Sequence, residues 1–273
     1  LTDTQIRSDI SIKESVSVDI HPAAIVHPSA EIGNNVKIGP WSYIGPNVFI
    51  EDNSIIYHHV VIKGYTRIGQ DNKIYQFNSI GEDSQDKKYH GEVTWLEIGN
   101  GNTIRENCTL HRGTVQDNGL TLIGNNNFIM AYTHIAHDCV LGNDNILANN
   151  TALAGHVHVG DGVIFGGYTA IHQKCKVGSY SMTAAKTVLF KDLPAFVMAS
   201  GHPAITQGMN YEGMRRRGYS PKVIRQLNQC YKIIYRMGYT TSEAVAELQK
   251  ITPSKELNLL IDSLKTSKRG ITR

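Results

Sequence analysis

The sequence predicts an all-β fold, a parallel β-helix wound as a triangular prism, with a smaller α-helical domain after it. The first observation behind this is a period of six: isoleucine or valine stands at Ile20, Val26, Ile32, Ile38, Ile44, Ile50, Ile56, Ile62, Ile68, Ile74 and Ile80. The second is glycine directly after many of these residues, as at Gly33, Gly39, Gly45 and Gly69. The third is the loss of the period beyond Pro194, where apolar residues recur at spacings of three and four. A six-residue period belongs neither to an α-helix nor to an alternating strand. It describes a chain that points one residue inward, turns a corner and starts another short flat face.

Three such faces make a coil of eighteen residues. No coil buries its apolar corner alone, so a long run is needed for stability. Consecutive coils are expected about 4.8 Å apart. Glycine after the inward residue suits a corner that needs either an unusual backbone angle or a close approach. Asn and Asp at corners, among them Asn35, Asn47, Asp52, Asn53, Asn126, Asn127 and Asn145, suit the same geometry. The series resumes at Ile98, Ile104 and Leu110 and then, one position out of phase, runs from Ile123 to Val177. The prism is therefore assigned to residues 20–190, after a lead-in over 1–19, with loops at 82–94 and 113–120. Loops on a rigid coil cost little stability and commonly bear binding groups.

Residues 191–273 are read as a helical domain. Ser220-Pro221 suits an N-cap with proline in the first turn. Ile224, Leu227, Tyr231 and Ile234 follow at helical spacing, and Gly238 ends that helix. Thr241 or Ser242 opens a second helix through Leu248, and Ser254 opens a third through Leu257, Leu260, Ile261 and Leu264. This is also the basic end. Residues 190–273 hold 14 Lys and Arg against 6 Asp and Glu, a net of +8, whereas residues 1–189 hold 13 against 18, a net of −5. Such a surface suits an acidic or phosphate-bearing partner. Nucleic acid fits poorly, because the prism has no basic stripe and the basic excess is not interleaved with aromatics.

No stretch is apolar over the roughly 18 residues that a membrane span requires. Nor does a charged start precede an apolar run, as in a signal peptide. The four cysteines, Cys108, Cys139, Cys175 and Cys230, form no CxxC pair and read as reduced packing residues of a cytoplasmic protein.

Histidine carries the chemical signal. Of twelve histidines, His134, His137, His156, His158 and His172 fall within residues 134–172. His137 and His156 are 19 positions apart, nearly one coil, so they meet in neighbouring coils, and His134 shares a short face with His137. Several imidazoles can hold zinc, but no compact ligand motif is present and no metal is expected. A general base needs one reachable imidazole. Asp138 directly follows His137; adjacent strand side chains point to opposite faces, but at a corner the two directions can converge. From the residues alone, histidines that merely clothe a prism flank fit this pattern as well.

The run His134-Ile135-Ala136-His137-Asp138-Cys139, followed by Ala148-Asn149-Asn150, Leu153-Ala154-Gly155-His156-Val157 and His172-Gln173, resembles the UDP-N-acetylglucosamine O-acyltransferases of lipid A biosynthesis, which are hexapeptide-repeat enzymes. So do Ile74-Tyr75-Gln76-Phe77, Gln85-Asp86, Lys88-Tyr89, Leu110-His111-Arg112-Gly113-Thr114 and Asn210-Tyr211-Glu212-Gly213 leading to Arg215-Arg216-Arg217-Gly218. The blocks keep the family's order over residues 20–273.

The resemblance implies a left-handed prism. It implies transfer of a (3-hydroxy)acyl chain from acyl carrier protein to the 3-hydroxyl of UDP-N-acetylglucosamine. The chain would arrive on the carrier's 4'-phosphopantetheine, with no cofactor bound permanently. His137 would be the general base, Asp138 its orienting partner, and the Gly155 N–H the oxyanion donor. Asp86 and Lys88 would approach the sugar or its diphosphate, while His134, His156 and Gln173 would line the cleft for sugar and acyl-pantetheine. Asn210, Glu212 and Arg216 match the family's C-terminal substrate-binding segment. Cys139 is then no nucleophile, because the sugar hydroxyl attacks directly. The family is a homotrimer with sites between adjacent prisms.

The family measures its acyl chain near Met182 to Ala185. Ala184-Ala185 stand where members that select long chains often have glycine, which implies a somewhat shorter chain. His202-Pro203 departs from the commoner Asn-His. Two other readings fit the sequence: an N-acyltransferase acting on a 3-amino UDP-sugar, and a non-catalytic, carrier-binding β-helix. The N-acyltransferase of the next acylation stage carries an N-terminal uridine-binding domain, for which hexads beginning near Ile20 leave no room.

Overall fold

The structure, a computed structural model, describes residues 18–273; the expected lead-in over 1–19 lies outside the described residues apart from its last two positions. Most strands are two residues long, because a hexad allows one outward and one inward residue before the corner. Asp19–Ile20 pairs in parallel with Lys37–Ile38, one coil on, and Ile25–Val26 pairs in the same way with Tyr43–Ile44. The described strands stack into three sheets of eleven, nine and eight strands, here the first, second and third faces of the prism. The registers show what the loops insert. Ile74 pairs with Ile104, so the first loop adds two whole hexads and keeps the phase. Thr109 pairs with His134, 25 positions on, so the second loop shifts it.

The inward column is fully buried from Ile44 through Ile74, Leu110 and Ile135 to Leu153. Each such side chain contributes about 1.5–3 kcal/mol relative to exposure. Ile20, on the outermost described coil, stays 39% exposed.

The corners divide the labour more finely than the sequence suggests. Glycines such as Gly33 are not left-handed; a β-carbon there would stand 2.8 Å from the Asp52 backbone nitrogen, so close approach is the reason for glycine. The left-handed residue comes two positions later. On the edge from the third face to the first it is Asn35 (φ 56°) or Asn53 (φ 61°), as expected. On the edge from the first face to the second it is Trp41 (φ 58°), Phe77 (φ 62°), Tyr132 (φ 63°) or Tyr168 (φ 60°), all exposed. Bulky side chains adopt this region only at a cost. Asn127 and Asn145 are not turn residues but rungs of a buried ladder. The Asn102 Oδ1 accepts from the Asn127 N–H at 2.8 Å, and the Asn127 Oδ1 from the Asn145 N–H at 2.9 Å.

The winding continues a little past residue 190. Leu193 bridges Val177, and strand Val197–Gly201 joins the first face beside Met182–Thr183. It then forms an antiparallel hairpin with Ala204–Met209, turned at His202-Pro203 through a cis peptide bond. Four helices follow: α1 (Tyr211–Arg216), α2 (Pro221–Arg236), α3 (Thr241–Leu248) and α4 (Lys255–Lys265). Ser220 and Ser254 cap α2 and α4 as expected. Helix α3 opens at Thr241, as expected, and Thr240 before it is the cap, closing a capping box with Glu243. Helix α1 and the hairpin have no counterpart in the sequence reading. Among the described residues no helix is long and apolar enough to cross a membrane.

Candidate active site

His137 and Asp138 stand at the corner that follows strand His134–Ile135 of the second face. Asp138 takes the left-handed corner conformation (φ 59°), which turns two consecutive side chains toward each other. His137 Nδ1 lies 2.7 Å from Asp138 Oδ2. An ionised carboxylate only accepts, so Nδ1 carries a proton and the neutral tautomer this selects has its lone pair on Nε2. The second loop fixes the carboxylate: the Thr114 N–H donates to Oδ1 at 2.7 Å and the Thr114 hydroxyl to Oδ2 at 2.6 Å. Asp138 is 2% exposed. Burial works against its charge, but hydrogen bonds from His137 and Thr114 hold its carboxyl below the usual range.

Gly155 sits against the His137 ring from the next coil. A β-carbon there would lie 2.6 Å from His137 Nε2, so only glycine leaves the ring its place. The Gly155 carbonyl accepts from the Lys174 N–H at 3.0 Å, while its own N–H meets no acceptor among the described residues. His156, the following residue, comes edge-on to His137 with ring centroids 5.1 Å apart. Its Nδ1 lies 2.8 Å from Asp117 Oδ2.

His137 and Gly155 border a cavity of about 590 Å³ on the second face, lined also by Gln85, Asp86, Lys87, His111, His134, Ile171 and Gln173 together with small alanines. His134 Nδ1 pairs with the Thr109 hydroxyl at 2.7 Å, and its ring meets His111 edge-on at 5.0 Å. Burial lowers the pKa of His134, with the nearby His137 adding to it. Burial, reinforced by His134, pushes His111 down to about 4. Both are therefore neutral imidazoles near pH 7. Lys88 departs from expectation. Asp86 Oδ1 accepts from the Lys88 N–H at 3.0 Å, a local turn that leaves Lys87 rather than Lys88 on the cavity wall. Arg112, buried, anchors this loop by donating to the Gly64 carbonyl at 2.9 Å, the Tyr89 hydroxyl at 2.8 Å and the Asp83 carboxylate.

Seven residues expected to contact substrate do not line the cavity within one protomer: Lys88, His156, which packs on His137 outside the lining, and five that lie elsewhere. Asn210 caps α1, accepting from the Gly213 N–H and donating to the Tyr180 carbonyl, both at 3.0 Å. Glu212 pairs with Arg216 at 3.1 Å on an exposed surface. Met182 points outward from the first face, and Ala185 is exposed at the adjoining corner. The Cys139 thiol is buried and pushed up to about 12 by that burial, so it is inert as a nucleophile.

A larger groove of about 990 Å³ runs along the third face, but it holds no histidine, and its Arg67 pairs with Glu97. The chemistry therefore belongs to the smaller cavity. Ligand atoms of His137, Asp138 and His156 lie within 4.8 Å of one another, a set able to offer a metal three donors. Both oxygens of Asp138 are, however, already engaged by Thr114 and His137. The sequence alone points to no role for His111, Lys87, Thr114 or Asp117. A signal for His111 lay in the 25-residue register that brings the Thr109-to-His111 strand beside His134.

The profile of bacterial transferase hexapeptide repeats matches residues 121–155, and this prism with an Asp-oriented imidazole at its corner is a hexapeptide-repeat acyltransferase. The second-domain profile of UDP-N-acetylglucosamine O-acyltransferase matches residues 192–272. The chain is 54% identical over 212 residues to the acyl-[acyl-carrier-protein]–UDP-N-acetylglucosamine O-acyltransferase of Stutzerimonas stutzeri, covering 77% of this chain and 82% of that one, and it belongs to the UDP-N-acetylglucosamine O-acyltransferase family. The solved structure of LpxA from Acinetobacter baumannii is similar at a TM-score of 0.90 and 54% identity, over 93% of this chain and 99% of that one. The Arabidopsis UDP-N-acetylglucosamine acyltransferase is similar at 0.82 and 35% identity, over 93% and 100% of the two chains.

Proposed function

We propose that the protein transfers a 3-hydroxyacyl chain from the thioester of acyl carrier protein to the 3-hydroxyl of UDP-N-acetylglucosamine, the first step of lipid A biosynthesis, in the cytoplasm. The observation that carries the mechanism is the 2.7 Å contact from His137 Nδ1 to Asp138, which in the neutral ring places the proton on Nδ1 and the lone pair on Nε2. Nε2 takes the hydroxyl proton as the sugar oxygen attacks the thioester carbonyl. The unpartnered Gly155 N–H stabilises the oxyanion of the tetrahedral intermediate. Collapse of that intermediate breaks the C–S bond, and the protonated His137 returns the proton to the pantetheine thiolate. No covalent acyl-enzyme and no permanently bound cofactor takes part.

The working unit is a homotrimer with the site between prisms. The outward positions of the second face are largely uncharged, with Tyr43, Val61 and Ser79 away from the cavity and Ala152 and Ala170 on its wall. The first face carries Phe128, Ile146, Ile164 and Met182. One such face laid on the other of a neighbour buries both, and the exposed aromatic edge lies between them. That arrangement brings Met182 and Ala185 to a cavity they cannot reach in their own protomer, along with Arg216 as a phosphate contact. The basic C-terminal domain suits an acidic carrier protein.

Incubation of pure protein with acyl carrier proteins of several chain lengths and with UDP-N-acetylglucosamine or its 3-amino analogue, followed by product masses, tests the reading. Ester formation on the hydroxyl sugar is expected. Exclusive amide formation on the amino sugar overturns the acceptor, and no transfer to either overturns the activity.

A further inference from the structure

We propose that Asp117 is a positioning residue of the site: it holds the His156 ring by Nδ1 and so reserves the Asp138 carboxylate for His137. The inference rests on the reading of His137 as the base. Asp117 lies in the second loop, which folds back on itself through hydrogen bonds from the Asp117 and Gly119 N–H groups to the Thr114 carbonyl at 3.2 and 3.0 Å. One tight turn thus brings Thr114 to Asp138 and Asp117 to His156.

The distances define a competition. His156 Nδ1 is 2.8 Å from Asp117 Oδ2 and 3.8 Å from Asp138 Oδ2. A small rotation of the ring closes the longer gap. Yet Asp138 Oδ2 already accepts from His137 Nδ1 at 2.7 Å and from the Thr114 hydroxyl at 2.6 Å, which occupies its two lone pairs. A third donor displaces one of these. The ionisable groups around His156 are Asp117, Asp138, His137 and His158, with Lys174 at the same corner one coil on. Of these only the two carboxylates accept from Nδ1, so removing Asp117 leaves Asp138 as the nearest acceptor. His137 then shares the bond that fixes its tautomer. The Asp117 side chain is 34% exposed and makes no other side-chain hydrogen bond among the described residues, so its contribution to stability is small and its effect is one of orientation.

The test uses the whole protein and the variants Asp117→Ala, Asp117→Asn, His156→Ala and the double variant of Asp117→Ala with His156→Ala. Asp117→Ala is expected to lower kcat roughly tenfold with KM little changed. Asp117→Asn, whose carbonyl still accepts from Nδ1–H, restores most of that loss. In the His156→Ala background the change at Asp117 has no further effect. Ring ¹⁵N shifts show His156 as the Nδ1–H tautomer in the wild type and in Asp117→Asn, and as a mixture in Asp117→Ala. A wild-type kcat in Asp117→Ala, an equal loss in both backgrounds, or an unchanged tautomer overturns the proposal. If His137→Ala keeps full turnover, the base assignment fails on its own, while the tautomer and the coupling of Asp117 to His156 still report on this contact.

Discussion

A β-carbon on Gly155 would stand 2.6 Å from both Nε2 and Cε1 of His137. Real side chains do not approach so closely, so the His137 ring has to swing away from its corner if anything larger than glycine stands beneath it. Asp138 on one side and His156 on the other limit where it can go. Gly155→Ala is therefore expected to reduce kcat by about 10²-fold, the usual cost of a misplacement near 1 Å. Melting temperature should change little. A purified variant with wild-type kcat removes Gly155 from the site.

His137→Ala deletes the base, and kcat should fall by about 10²–10⁴-fold with the oligomer intact. Asp138→Asn keeps the shape of the corner but offers an amide that can donate to Nδ1, which moves the ring proton to Nε2. A loss of about 10²-fold or more is expected from the wrong tautomer alone. Steady-state kinetics beside size-exclusion chromatography separates these effects from unfolding. Near-normal turnover in both variants returns the general-base role to some other group.

Acid should destabilise the protein before its carboxylates titrate. The His111 pKa is lowered from 6.5 to about 4, chiefly by burial. Between those values the unfolded chain binds a proton that the folded chain refuses, so stability falls as pH drops through this window. The full loss is on the order of 3 kcal/mol. Asp138, whose pKa is lowered in the fold, adds its own loss only at lower pH, as its carboxylate finally protonates. Melting temperatures followed from pH 7 to pH 4.5 should therefore decline in the wild type and decline less in His111→Gln. Parallel curves for the two proteins place the acid sensitivity elsewhere.

Much of this fold is legible in the sequence because it is local: one inward aliphatic per six residues sets each strand, and each coil stacks on its predecessor. The insertions are legible as breaks in phase, and Ser220-Pro221 marks α2 through cap chemistry alone. The His137–Asp138 contact is legible only as a permitted convergence, since its geometry depends on the φ of 59° at Asp138. What stays hidden is set by partners far along the chain. Lys87 rather than Lys88 faces the cavity because of the turn around Asp86. Hairpin Val197–Met209 forms because the last coil offers it a free edge. The exposed aromatics at left-handed corners have no local rationale, since Asn would sit there more easily.

The asparagine ladder makes the corner between the third and first faces a stability element. Asn127 is 1% exposed; its side chain accepts from the Asn145 N–H at 2.9 Å and donates to the Gly142 carbonyl at 3.0 Å. Asn127→Ala leaves the buried Asn145 N–H without a mate, at about 1–3 kcal/mol, and removes a donor from the half-buried Gly142 carbonyl. Denaturant unfolding should show that loss while kcat of the folded protein is unchanged, because the ladder runs along a different corner from His137. A variant as stable as the wild type means that water or backbone shifts replace the rung.

Ala185 offers a test of the chain-length end of the cleft and of the trimer together. In one protomer it is exposed, on the edge beside Met182 and outside the cavity lining. A neighbour's second face laid against that edge would bring Ala185 to the acyl chain. Its methyl group then occupies about the space of one chain methylene, and a methylene in such a pocket is worth about 10–200-fold in kcat/KM. Ala185→Gly should raise the preference for donors one or two carbons longer, with little change for the shorter donor. Competition assays with mixed acyl carrier proteins read this ratio directly. An unchanged profile in a trimeric variant removes Ala185 from the cleft, whereas a monomeric wild type removes the proposed shared site itself.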